Sequence, residues 1–524
     1  MAGTGRPGRV QQIAYDATPL TAARPDVDAR IGWLLAMSRL HHPDPEFADG
    51  RTFMEALADA GLAVSRSQLS RWESGEASVS LEAIGAYERA LGLRQGEISS
   101  LTGYLRAAVP GHKSRVLRPK LDPSSREFAL RLDELVDLAE EGAAKAWDWQ
   151  QLGWHLAAAP LAHLRGRVWE ALANELVCTI PRSVDTAYRQ YSTAAMSIAM
   201  VPRAQDFLVD AIATYVSDPD AQVITNPLGL LDQLPTRRSA ELVLSLIEQP
   251  RGAAYHQAIW LATSKALRGD FTAEERTRLG MIVLRIWRAN PARAARELAE
   301  LIAVLPEGLR ATLTDAASRT GQRRLGYVIE HGEGLVASEA RSMASRLADG
   351  ARERAPQKPE YGEDRMLVRL IREVLFHRDS ERRHLAGLVL SASPFRGPVA
   401  EELISLLGET GVQEWVRGQA ATAIRYVADE QHRMRLLHWL EDPDVDVAAP
   451  IAQTIGHLPF APVSDQAVRA ALGPHWSAVE RARMYALGMT GSAALRAINR
   501  SSSAPPWQQA AARWWIALGP AVRD

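Results

Sequence analysis

Residues 65–76 read SRSQLSRWESGE, a stretch whose side chains bind rather than react. Arg66 and Arg71 carry multi-donor guanidinium forks, Ser65, Ser67 and Ser70 offer hydroxyls, and Gln68 presents an amide that both donates and accepts. No acid interrupts the run before Glu73. An Arg fork pairs with a phosphate or with the two acceptors of a guanine edge, and a Gln amide with an adenine edge. Ser65 is a good helix N-cap, and a helix N-terminus favours phosphate. Gly75 then stops the helix. An ordinary solvated helix could carry the same residues, so their surroundings must decide.

Residue types that perform covalent chemistry are not assembled elsewhere in the chain. No glycine-rich phosphate loop ending in Gly-Lys-Ser or Gly-Lys-Thr occurs. His41-His42, near Asp44 and Glu46, could attract a metal, but adjacent side chains point apart and a solvated loop is the plainer reading. HGEG at 331–334 lies in a helical region without a partner. The single cysteine, Cys178, excludes an intramolecular disulfide and a thiolate cluster and reads as a small core hydrophobe. WDWQQLGWH holds Trp147, Trp149 and Trp154, which either fill a core or domain junction or build an effector pocket. Arg323-Arg324 and Arg382-Arg383 read as solvated helix faces. No catalytic residue, metal ligand or cofactor site is assigned, and the chain is not expected to be an enzyme.

The elements that must position residues 65–76 are short helices. Ile31, Leu34 and Leu35 begin one; Phe53, Leu57 and Ala60 mark a second; Leu69 and Trp72 a third; Leu81, Ile84 and Tyr87 a fourth; Ile98, Leu101 and Leu105 a fifth. Gly61, Gly75, Gly92 and Gly96 punctuate them. Leu69 and Trp72, spaced i and i+3, form the anchoring face of the third helix, opposite its polar edge. Residues 1–26, rich in Gly, Pro, Thr and Ala, read as a mobile arm, and 27–107 as one compact helical domain.

Residues 108–125 follow as a basic linker: Lys113, Arg115, Arg118 and Lys120 occur there with no acid before Asp122. They are either simply solvated or positioned to follow a phosphate backbone. From Arg126 onward the pattern is helical, irregular over 126–375 and periodic over 376–524. In the periodic part Leu390, Ile424, Ile455, Leu487 and Leu518 are spaced 34, 31, 32 and 31 residues apart. Repeats of that length stack helix pairs into a solenoid with a long concave surface.

The third helix in its setting resembles the Xre/Cro/C1-type helix-turn-helix family, through Ser65, Arg66, Leu69, Ser70, Trp72, Glu73 and Gly75. The periodic region resembles HEAT repeats, through Val416, Arg417, Ala420, Ala423 and Ile424 and the Ala-Leu-Gly endings at 486–488 and 517–519. These resemblances imply an all-α chain: a five-helix helix-turn-helix domain followed by a HEAT-like α-solenoid. They imply a transcriptional regulator that reads double-stranded DNA with Arg66, Ser67, Gln68, Ser70 and Arg71 and holds phosphate with Ser65, Arg51, Thr52 and the basic linker. Glu73 is implied to be structural, paired with a base in the domain. The sequence departs from the family in its longer turn, Gly61-Leu62-Ala63-Val64, and in HHPDPEFADGR between the first two helices. One such domain contacts few base pairs, so a homodimer on a two-fold operator is expected, with a protein or small-molecule effector on the solenoid. The alternative is an interaction scaffold in which the solenoid is the working part and the N-terminal domain docks a protein.

Composition agrees with a globular protein: 47% hydrophobic, 23% charged and a net charge of −1. That charge excludes a polybasic coat but not a local basic module. No apolar run reaches membrane-spanning length and the start lacks a secretory h-region, so no membrane partner and a cytoplasmic location are expected.

Overall fold

The computed structural model describes residues 12–22, 24–109, 119–161, 164–249, 254–319 and 323–523. They form an all-α chain, with no strand among the described residues. The first five helices are α1 (Val27–Leu40), α2 (Gly50–Asp59), α3 (Arg66–Glu73), α4 (Leu81–Ala90) and α5 (Glu97–Ala108). Side-chain caps start four of them: Asp26, Asp49, Ser65 and Ser80 each accept a backbone N–H of the first turn. At α5 the cap comes from a distance, because Gly96 has no side chain to offer. Glu88 of α4 instead accepts the N–H groups of Gly96, Ile98 and Ser99 at 3.1, 2.7 and 2.7 Å.

The C-terminal array alternates two layers of helices. Ser380–Ser391, Glu414–Val427, Val445–His457, Ala478–Met489 and Pro506–Leu518 stack one upon the next as the inner layer, and helices such as Arg396–Leu407 and Pro462–Ala471 lie outside. Leu390, Ile424, Ile455 and Leu487 are fully buried, whereas Leu518 is half-buried. Asp379 and Asp444 cap their helices by accepting the N–H of Glu381 and Asp446, both at 2.9 Å. Gly488 lets the last repeat close: a Cβ there would lie 2.0 Å from the indole of Trp515. Trp514, which packs edge-on to Trp515, also meets Tyr215 of the preceding region. Val522 exchanges backbone hydrogen bonds with Arg182 and Val184, so the chain end is fastened to its middle.

Two cores run through the molecule, and their boundary is not where periodicity places it. One spans residues 128–325; the other joins the N-terminal domain to residues 335–515. The helices Ala337–Arg354 and Arg365–Phe376 therefore belong with the repeats, although they lie in the stretch read as irregular.

The N-terminal domain is not a bead on a linker. The Arg30 guanidinium of α1 contacts Asp16 at 2.7 Å and Glu373 at 2.6 Å, and Glu373 also holds Arg369 and Arg382 at 2.6 and 2.7 Å, all inside the protein. Trp33 donates its indole N–H to Asp364 at 3.0 Å. On the other side of the domain, α5 packs along Asp185–Ala199 and Tyr104 reaches His384 at 3.1 Å. The concave surface expected to be open to a partner is thus covered by the chain itself.

These contacts correct three expectations. Residues 12–22 are not a mobile arm: Asp16 is fully buried, and the carbonyls of Leu20 and Ala22 accept from His377 and Arg382. Arg382 is not a solvated face, because Glu373 draws it inside. His41 is not in a solvated loop: it is buried, 3.2 Å from the Tyr361 hydroxyl and edge-on to Phe395, while His42 turns away to stack on Phe47. The side chains of Arg323 and Arg324 lie outside the described residues.

Candidate nucleic-acid interface

The site begins with a turn. α2 ends with Gly61 at φ +88°, and the N–H groups of Gly61 and Leu62 return to the carbonyls of Ala58 and Leu57 at 2.9 and 2.8 Å. This is a Schellman stop. Arg89 of α4 adds two hydrogen bonds to the Ala60 carbonyl, at 3.2 and 2.8 Å. Leu62 to Val64 then carry the chain to Ser65, whose hydroxyl accepts the N–H of Gln68 at 3.2 Å and starts α3. The longer turn costs no order, since Gly61 and Arg89 fix it from both sides.

α3 presents two chemically different faces. Leu69, Trp72 and Glu73 are buried, and Arg66, Ser67, Gln68, Ser70 and Arg71 are exposed. Glu73 is paired inside the domain: its carboxylate takes both arms of the Arg39 fork at 2.7 Å each, and the Tyr87 hydroxyl approaches at 3.3 Å. Arg39 also donates to the carbonyls of Phe47 and Ala48 at 2.9 and 2.8 Å, so one arginine ties α1, α3 and the inserted loop. α3 sits close on α1 because neither contact point has a side chain. A Cβ at Gly75, whose φ is +75°, would lie 2.6 Å from the Cα of Ala29, and one at Gly32 would lie 2.6 Å from the Trp72 carbonyl.

The expected phosphate contacts divide into three groups. Ser65 is exposed at the N-terminus of α3 and Thr52 lies at that of α2, its N–H and hydroxyl both held by Asp49. Arg51 is exposed and leans on Glu55 at 3.4 Å. Hydrogen bonds from the start of α2 hold the Asp49 carboxyl below its usual range, and the nearby charge of Arg66 contributes, so the reading edge has one acidic neighbour. Lys120 is exposed, whereas Lys113, Arg115 and Arg118 lie outside the described residues.

The tryptophan cluster packs against neighbouring helices. Trp149 and Trp154 are buried in the packing of Ala146–Ala158 and its neighbours, with Trp149 against Tyr191 and Trp147 edge-on to Trp154. None of the three lines the cavity that borders α5 and Asp185–Ala199. Linear reading missed the residues that dock the domain, Arg30, Trp33 and His41, whose partners lie more than 300 positions away.

A family model described as helix-turn-helix matches residues 54–94, from within α2 through α4. This is the class of domain with which regulators bind double-stranded DNA. The match covers less than a tenth of the chain and none of the repeats. No curated protein matches the chain. No helix among the described residues is long and apolar enough to cross a membrane.

Proposed function

We propose that this protein is a sequence-specific DNA-binding transcriptional regulator whose α3 enters the major groove. The observation that supports it is the division of labour within the domain. α1 and α5 are consumed in docking to the rest of the chain, yet the five polar side chains at the reading edge of α3 stay clear. In this reading Arg66, Ser67 and Gln68, in the first turn, reach base edges, and Ser70 and Arg71 lie one turn further on, at the edge of the groove. The HEAT-like array holds the domain and carries the effector or dimer contact, without catalysis.

Charge decides where non-specific affinity comes from. Residues 27–107 contain eight arginines, no lysine and eleven carboxylates, a net −3. Attraction to phosphate therefore rests on Lys113, Arg115, Arg118 and Lys120.

Selecting bound duplexes from a random pool with the full chain tests the reading. A motif with two-fold related half-sites is the expected result, and light scattering is expected to show a dimer on it. Absence of any sequence preference across salt concentrations overturns it. The acidic balance of the domain favours one second reading, an interaction scaffold that docks a protein on α3; salt-insensitive failure of the full chain to bind DNA would select that reading.

A further inference from the structure

Where α5, Asp185–Ala199 and the inner repeat helices meet, the chain lines a partly open cavity of about 600 Å³. That is the size of a small-molecule site. Successive inner helices build one wall: Glu381 and His384 come from the first, Arg425 from the second, His457 from the third, and Arg481 and Tyr485 from the fourth. The last two are spaced i and i+4, so they share a face.

The charges on this wall do not cancel. Asp185 and Asp232 also border the cavity, but each is taken, by Arg396 at 3.2 Å and by Arg268 respectively. Arg425 has no carboxylate within ion-pair reach among the described residues. One of its nitrogens donates to Gln453 at 3.2 Å, and its guanidinium lies 5.5 Å from the centre of the Tyr426 ring. Arg481 spends its donors on the carbonyls of Ala221 and Gln222, at 2.9 to 3.2 Å, and it too lacks a carboxylate. Glu381 supplies no compensation, because burial pushes its carboxyl up to about 8 and keeps it protonated at neutral pH. His384 and His457 stay neutral for the same reason, pushed down to about 3. Arg425 is half-buried and its guanidinium borders this space without a counter-ion, so an anion placed beside it is held by charge-assisted hydrogen bonds.

We propose that the cavity binds a small organic anion, whose carboxylate or phosphate oxygens take the unused donors of Arg425. Arg481 adds a second positive charge, and the rings of Tyr426, Tyr485 and Tyr188 flank the body of the ligand. Tyr104 of α5 borders the same space and is bonded to His384, so an occupant touches the helix that closes the N-terminal domain. Binding of the anion does not rest on the DNA reading; its effect on operator affinity does.

Titration calorimetry and thermal melting of the full chain test it, with inorganic phosphate, citrate and AMP as probes and adenosine as the uncharged control. At least one of the three anions is expected to bind saturably and raise the melting temperature, while adenosine does not. Arg425→Gln should weaken that binding by about tenfold or more, with Arg425→Lys between it and wild type. Without ligand, Arg425→Gln should melt within about two degrees of wild type, since Arg425 is only half-buried and makes no ion pair among the described residues. Failure of all three anions to bind, undiminished binding to Arg425→Gln, or a ligand-free melting temperature several degrees below wild type for that variant would each overturn the proposal. None of these outcomes bears on duplex selection, so the two readings fail separately.

Discussion

Arg39 and Glu73 show how a charged residue inside the helix-turn-helix domain serves the fold while its neighbours serve the surface. The two are bonded through both arms of the fork and lie almost wholly inside the protein. Arg39→Ala would strand the Glu73 carboxylate, and breaking a buried pair from one side costs roughly 3–5 kcal/mol. Urea unfolding is expected to show that loss; a change below about 1 kcal/mol, the scale of an exposed pair, would mean the pair is solvated. On the opposite face of the helix the expectation reverses. Arg66→Ala should leave stability within about 0.5 kcal/mol of wild type, yet lose roughly 1–3 kcal/mol of discrimination at one operator position. Neutralising Lys113 and Arg115 should weaken binding to every duplex and flatten its dependence on salt. An operator preference untouched by Arg66→Ala would remove α3 from the reading position. Both faces were legible in the sequence, because the spacing of Leu69 and Trp72 leaves only one side of so short a helix for the polar residues. The partner of Glu73 was foreseen only as a base within the domain, since nothing near it in sequence points to residue 39.

At the scale of the element, α3 is held by its approach to α1. Gly32→Ala would drive a methyl group into the Trp72 carbonyl and the Gly75 nitrogen, at 2.6 and 2.7 Å, where backbone cannot give way cheaply. Overpacking of this kind costs about 1–3 kcal/mol. Gly50→Ala is the matched control, because the nearest atom there is a Leu69 methyl at 3.7 Å. The first variant is expected to lower both the melting temperature and DNA affinity, the second neither; equal behaviour of the two would show that α1 does not seat α3. Helix positions were largely readable from periodicity, and the turns from glycine. The start of α2 was not: apolar spacing places it at Phe53, but Asp49 caps it three residues earlier, at Gly50. A cap acts through one hydrogen bond and leaves no hydrophobic period behind it.

The whole molecule makes the N-terminal domain depend on the rest of the chain. Because its core is continuous with that of residues 335–515, an excised fragment of residues 1–125 would expose Trp33, Ile31 and the Arg30 cluster. It is expected to show a weak, non-cooperative melt by circular dichroism, whereas the full chain melts cooperatively; a sharp transition in the fragment would contradict the shared core. Acid should act on the same seams. Burial holds His41 and His377 down at about 4 and His384 and His457 at about 3, below the roughly 6.5 of an exposed imidazole. The unfolded chain then takes up protons first, so the stability these four lend is present above pH 6.5 and is lost as pH falls toward 4. Glu381 and Glu300, raised to about 8 and about 7, act oppositely: their contribution is present below the unfolded glutamate range and lost as pH rises through 8. Four groups against two predict a melting temperature that is highest near neutrality and lower at pH 5. Equal melting at pH 5 and 7 would place those histidines in water.

From the sequence alone one can determine what depends on neighbours a few positions apart: the all-α character, the five short helices, the polar helix read at 65–75 and the repeat of the C-terminal anchors. Each is written in a period, a cap or a glycine. Only the tertiary structure decides what those elements close upon. Arg30 meets Glu373, Tyr104 meets His384, and the chain that precedes the repeats packs over their concave side around a cavity. The physical reason is that a charged or polar residue can be buried wherever a partner is brought to it, and that partner lies hundreds of residues away. Arg30 in the first helix looks like a surface residue until the fold brings Glu373 to it.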